Sequence, residues 1–231
     1  MKKFIFVITI LVSLNDAYCQ SITASSLLEL INKKSIKAKD YSVDAAIKVD
    51  LPFLKMLPIN AKIYFKQKDK FKIVSKSISI LPRQSFDQLT TLLQDPTSFS
   101  AMFQNSDTIG KIETKVVSII PFSDTTDLIL GRLWIDPISM LVFKSQLTTK
   151  SNGTILTEYF YGSQSEFGLP DKMIFTVDIK KFKIPKSVTI DINNSKPTKE
   201  VKDKKGKIFI SLNNYLVNKG ISDSVFDKKK E

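Results

Sequence analysis

Residues 63–73 read Ile63-Tyr64-Phe65-Lys66-Gln67-Lys68-Asp69-Lys70-Phe71-Lys72-Ile73. Ile63 and Phe65 alternate with Lys62, Tyr64 and Lys66, and Phe71 and Ile73 enclose Lys72. A period of two places one set of side chains on a core and the other in water, so each run predicts a half-buried strand. The polar stretch Gln67-Lys68-Asp69-Lys70 between them predicts the turn of a hairpin. An antiparallel sheet with one apolar face follows from this segment.

The same texture spreads outward. Upstream, Ile47 and Val49 alternate with Ala46, Lys48 and Asp50. Downstream, Ser77–Leu81 extends the pattern to Pro82, and further strands are predicted over Lys115–Ile120, Thr126–Ile135, Met140–Thr148, Ile155–Tyr161, Lys172–Lys180, Ser187–Asn193 and Lys207–Leu212. Asp136-Pro137, Ser151-Asn152-Gly153, Gly168-Leu169-Pro170 and Ile184-Pro185 supply turns between them. Before the strands, Leu27, Leu28, Leu30 and Ile31 recur at helical spacing, with Ser26 and Glu29 as a capping box, which predicts a helix over Ser25–Lys34. Residues 85–105 break the period: Phe86, Leu89, Leu92 and Leu93 form one helical stripe. After Asp95-Pro96, an N-cap followed by Pro, the residues Phe99, Met102 and Phe103 form a second. The predicted class is α+β, mostly β: a curved antiparallel sheet forming an incomplete β-barrel, with an N-terminal helix and a helical lid.

Composition closes several doors. The chain has 231 residues, 35 Lys+Arg against 23 Asp+Glu, and no His, which excludes Ser-His-Asp triads, Cys-His dyads and His-ligated metals. Its 7 glycines all lie from Gly110 onward and form no phosphate-binding loop. The net charge is +12, but Arg83 and Arg132 are the only arginines. Nucleic-acid readers rely on the bidentate arginine fork, so nucleic acid is not an expected partner, whereas attraction to an anionic membrane surface is compatible with the lysines. Asp191, Asn193 and Ser195 have calcium-loop spacing, yet Lys196 and Lys202 stand where Gly and Glu belong, so no metal is expected. Asp124 and Asp127 are a carboxylate pair that nothing marks as catalytic, and Asn152-Gly153-Thr154 reads as turn chemistry. No enzyme and no cofactor is expected.

Residues 1–19 read as a cleaved targeting segment. Lys2 and Lys3 precede an apolar run from Phe4 to Leu14, shorter than the ~20 residues a spanning helix needs, and Ala17-Tyr18-Cys19 offers a small-x-small cleavage site. Cys19 has a poor context for lipidation. Residues 20–226 are then expected to be a single domain and 227–231 a disordered tail, in the periplasm.

The 63–73 stretch resembles the early hairpin of periplasmic lipoprotein-carrier proteins, with Gln67-Lys68 where that family has a basic residue and Pro. Gly131-Arg132-Leu133-Trp134-Ile135-Asp136-Pro137 resembles their later L-W-x-D-P strand, and Lys205-Gly206-Lys207-Ile208 with Asn214-Tyr215 and Val217-Asn218-x-Gly220-Ile221 resembles a closing strand. The resemblance implies an apolar concave face that holds acyl chains. Its wall would be Ile47, Val49, Ile63, Phe65, Phe71, Ile73, Leu133, Ile135, Leu141, Phe143, Phe160, Phe175 and Val177, continued by Val188, Ile190, Ile208 and Ile210. The lid would be Phe86, Leu89, Leu92, Leu93, Phe99, Met102 and Phe103, held shut by Arg132; Trp134 is expected in the core. Each buried methylene contributes about 0.8 kcal/mol, so even a partly sheltered chain is held firmly.

Two functions compete. One is a soluble monomeric carrier of lipoprotein acyl chains or phospholipid, passing cargo between envelope transport proteins towards the outer membrane. The other is an envelope sensor or protein-interaction domain on the same fold, without lipid transport.

Overall fold

The computed structural model describes residues 22–51, 54–55, 57–67, 70–75, 93, 95–178 and 205–227. Helix α1 spans Ala24–Ser35. The strands are β1 Asp40–Leu51, β2 Leu54–Lys55, β3 Ile59–Lys66, β4 Lys70–Ser75, β5 Phe99–Ile109, β6 Ile112–Pro121, β7 Leu128–Asp136, β8 Leu141–Thr149, β9 Gly153–Tyr161, β10 Pro170–Asp178 and β11 Lys205–Val217. They form one antiparallel sheet in the order β4-β3-β1-β11-β10-β9-β8-β7-β6-β5, with β2 paired to β1 off that path. The path ends on β4 and β5 without closing into a barrel. Strand β11 is inserted between β1 and β10, so that the last strand ties the first to the rest.

The opening hairpin forms as the sequence predicts: Phe65 faces Phe71 and Ile63 faces Ile73 across β3 and β4. The helix also forms, but Thr23 caps it. The Thr23 hydroxyl accepts the Ser26 amide at 3.1 Å, and Ser26 donates its own hydroxyl to the Thr23 carbonyl at 2.9 Å. The predicted capping box starts one turn too late because Ala24 already joins the buried stripe with Leu27, Leu28 and Ile31, while Leu30 faces outward.

The second predicted helical stripe is a strand. Pro96–Ser98 makes one 3₁₀ turn, closed by the Asp95 carboxylate accepting the Thr97 amide, and Phe99–Ile109 then runs as β5. Phe99, Ala101 and Phe103 are also spaced by two, opposite Pro121, Ile119 and Val117 on β6. Cross-strand pairing outweighs the coincidental helical spacing of Phe99, Met102 and Phe103. The expected strands Ser77–Leu81 and Ser187–Asn193, the first lid helix with Phe86, Leu89 and Leu92, and the calcium-like loop lie outside the described residues.

After β11 the chain folds back as a strap, stitched to the start of β1. Asn218, at φ +56°, donates its amide to the Asp40 carbonyl at 2.8 Å, and its side chain bridges the Lys39 amide and the Lys37 carbonyl. The buried Asp40 carboxylate accepts the Lys219 and Gly220 amides at 3.1 and 3.0 Å. The lysines of the β3–β4 hairpin hold the remainder. Lys66 donates to the Ile221 carbonyl and to Asp223, Lys70 pairs with the other Asp223 oxygen at 3.0 Å, and Lys72 donates to the Val225 and Asp227 carbonyls. Asp227, expected in a loose tail, is thus tied down by Lys72.

Candidate functional site

Opposed residues in an antiparallel pair share a face, so register identifies the inner wall. Val117, Leu133, Ser145, Thr157, Phe175, Ile208 and Val49 stand opposite one another from β6 across to β1. Ile119, Gly131, Leu147, Ile155 and Val177 form the neighbouring row. Tyr159, Met173, Ile210, Ile47 and Ile59 form a third. These rows make one apolar face that spans both of the molecule's buried clusters.

The clusters differ in construction. The first gathers Val43, Ile47, Val49, Ile63, Phe175, Val177, Ile208 and Ile210 with their neighbours on β1, β3, β9, β10 and β11. The second brings α1, through Ala24, Leu27, Leu28 and Ile31, onto Phe99, Val117, Ile119, Leu128, Leu133, Ile135, Val142 and Leu147. Tyr159 packs against both.

Most predicted wall residues come together on this face. Ile47, Val49, Ile63, Phe175 and Val177 are buried in the strand-only cluster, with Phe71 and Ile73 packed half-buried against it. Leu133 and Ile135 are fully buried beneath α1. Leu141 is buried, but a bulge between Trp134 and Ile135 shifts the register, and its neighbour Val142 enters the cluster instead. Val188 and Ile190 lie outside the described residues.

A half-buried aromatic rim borders the strand-only part. Phe71, Phe65 and Tyr41 are opposite one another on β4, β3 and β1. Tyr41 stacks on Phe65 with centroids 5.0 Å apart and tilts against Tyr215 at 5.9 Å. Phe143 meets Tyr161 edge-on at 5.6 Å. The Tyr161 hydroxyl donates to the Val142 carbonyl and the Tyr215 hydroxyl to the Pro170 carbonyl, each at 2.8 Å. Burial pushes both phenols well above their ordinary range, so both stay neutral. The sequence reading picked out Phe65, Phe71 and Phe143 but missed the tyrosines; the odd-numbered alternation running back from Val43 to Tyr41 is the signal that could have found Tyr41.

Two assignments need correction. Phe160 is 45% exposed on the outer face, with the Lys172 ammonium 5.3 Å from its ring, because it alternates with the inward Tyr159. Arg132 is exposed and stands between Ser118 and Gln146 on the outer face, so it cannot hold a lid over the inner one. Trp134 is buried as expected, opposite Val116 on the other face of the sheet. Lys144 covers its ring at 4.2 Å, and its indole N–H donates to Asp107 at 2.7 Å, which holds that carboxyl below the usual range.

The predicted lid group is divided. Leu93 and Phe99 are buried against α1's cluster, whereas Met102 and Phe103 are 45% and 41% exposed on β5. Asp127, half of the carboxylate pair, accepts the Ser151 amide and hydroxyl at 2.9 and 2.6 Å and so orders the β8–β9 turn. Gly153 closes that turn at φ +70°, as the Asn-Gly pair predicts.

The fold is that of the LolA-like proteins. A LolA superfamily protein from Nitrosomonas europaea superposes with a TM-score of 0.58 at 11% identity, over 90% of this chain and 99% of that one. A putative outer membrane lipoprotein-sorting protein domain from Vibrio parahaemolyticus gives 0.62 at 6% identity, over 88% and 96%. A DUF1329 family protein from Desulfovibrio piger gives 0.55 at 11% identity, over 90% and 98%. No protein-family model and no curated protein matches the sequence.

Proposed function

We propose that the chain is a periplasmic carrier that binds acyl chains of lipoproteins or phospholipids along its inner apolar face and hands them on towards the outer membrane. The observation that carries this reading is the largely apolar inner face from β6 to β1, on a fold shared with a lipoprotein-sorting domain. A methylene chain laid on such a wall gains about 0.8 kcal/mol for each group withdrawn from water. The half-buried aromatic rim, Phe65 and Tyr41 included, gives that chain an adaptable boundary. Residues 1–19 serve as the export signal in this reading, and residues 20–226 act as one domain.

The experiment is a native mass spectrum of the protein exported to a periplasm and gently purified. Bound masses that organic solvent strips off as phospholipid or acylated peptide support the carrier. A single bare mass, together with failure to take up a hydrophobic dye, contradicts it.

One observation favours the alternative, an envelope interaction domain. Strand β5 ends the sheet's path, is exposed over most of its length, and presents Met102 and Phe103. Such an edge is suited to pairing with an extended segment of another protein. Recovery of a stoichiometric envelope protein that β5 proline substitutions release would shift the reading to that role.

A further inference from the structure

The inner face carries a polar interruption where the two apolar clusters meet. Ser145 and Thr157 face each other on β8 and β9. They are 0% and 2% exposed, between Leu133 on one side and Phe175 on the other in the same row. The Tyr159 hydroxyl lies 3.0 Å from the Ser145 hydroxyl, and Thr157, opposite Ser145, shares their face. Burial pushes the Tyr159 phenol up, which keeps its proton in place.

A count of protons makes this group unusual. Three hydroxyls carry three protons, and the hydrogen bond between Ser145 and Tyr159 engages only one of them. Among the described residues, no hydrogen bond takes a remaining proton out of the triad to a carbonyl or carboxylate. A buried donor without an acceptor is costly, and apolar residues of the same shape would remove that cost. Tyr159 is the one member of the three that keeps part of its surface exposed.

We propose that Ser145, Thr157 and Tyr159 form a carbonyl-binding notch in the apolar wall, selecting ester- or amide-linked acyl chains over plain alkyl chains. A spare hydroxyl proton donates to the ligand's carbonyl oxygen. The chain's methylenes extend from there over Phe175 and Ile208, which continue the same row. This inference rests on the acyl-binding reading and adds the linkage that the site recognises.

The test compares 1-lauroylglycerol with 1-O-dodecylglycerol, which differ in having an ester or an ether linkage, as competitors for a bound hydrophobic dye. The unaltered protein is expected to prefer the ester about fivefold to tenfold, the range of one hydrogen bond. In the triple variant Ser145→Ala, Thr157→Val, Tyr159→Phe, the ester-over-ether preference is expected to fall to about one. If that variant does not fold, Thr157→Val alone must lower the preference at least twofold. Equal binding of ester and ether by the unaltered protein, or a preference that survives loss of the hydroxyls, overturns the notch and leaves acyl binding standing. Failure to bind either compound overturns both.

Discussion

The two halves of the inner face solve the same burial problem differently. Under β5 to β8 the apolar side chains are covered by α1, whose Leu27 is fully buried among Val117, Leu133 and Ile135. Across β9 to β11 and on to β3, the described cluster is made of strand residues alone and is edged by Tyr41, Phe71, Tyr159 and Tyr215, each only partly buried. A helix locked onto a sheet is a permanent core. Aromatic side chains that keep some surface exposed can shift to admit a flexible apolar ligand. On the proposed carrier reading, the helix-covered half serves stability and the strand-only half serves binding.

Substitutions in each half should separate these roles. Leu27→Ala removes a fully buried side chain beneath the sheet and should cost about 3 kcal/mol, read from the denaturant midpoint, with dye affinity unchanged. An equal loss of binding would erase the distinction. Phe65→Glu places a charge on the half-buried rim beside Tyr41 and should weaken acyl binding at least tenfold in a protein that still folds. Undiminished lipid uptake by that variant contradicts the assignment.

Smaller effects sharpen the picture. Thr23→Ala deletes the α1 cap and should cost about 1 kcal/mol in thermal unfolding without touching the ligand. The smallest effect concerns the strap. Lys66 and Lys70 hold the Asp223 carboxyl down at about 2, against an ordinary 3.8. A depressed carboxylate contributes stability above its unfolded value, and that contribution disappears as pH falls through the folded one. Hydrogen-exchange protection at residues 218–227, taken relative to the intrinsic rate at each pH, should therefore hold at pH 5 and fall between about pH 4 and pH 2. Loss of protection already at pH 5 would show that the clasp does not depend on Asp223.

Much of this was legible in the sequence because period two is a local signal. Ile47, Val49, Ile63, Phe65, Phe71 and Ile73 could be placed on one face from alternation alone. What failed depended on partners distant along the chain. The spacing of Phe99, Met102 and Phe103 fits a helix until β6 is known to lie alongside. Phe160 and Arg132 were chosen for their chemistry and neighbours, but each is one residue out of phase with the inner wall. Lys66, Lys70 and Lys72 read as a solvated face, because no local pattern announces a strap arriving more than a hundred residues later. The hydroxyl triad escaped notice for the same reason: Ser145 and Thr157 become a site only once β8 and β9 are aligned and Tyr159 closes over both.

The most direct measurement is photocrosslinking with a fatty-acyl probe carrying a diazirine midway along its chain, followed by peptide mapping. Adducts are expected on inner residues of β1, β9, β10 and β11 such as Val49, Phe175 and Ile208, and are lost in Phe65→Glu. Adducts confined to α1 or scattered over outer-face residues such as Phe160 and Trp134 would contradict binding on the strand-only half.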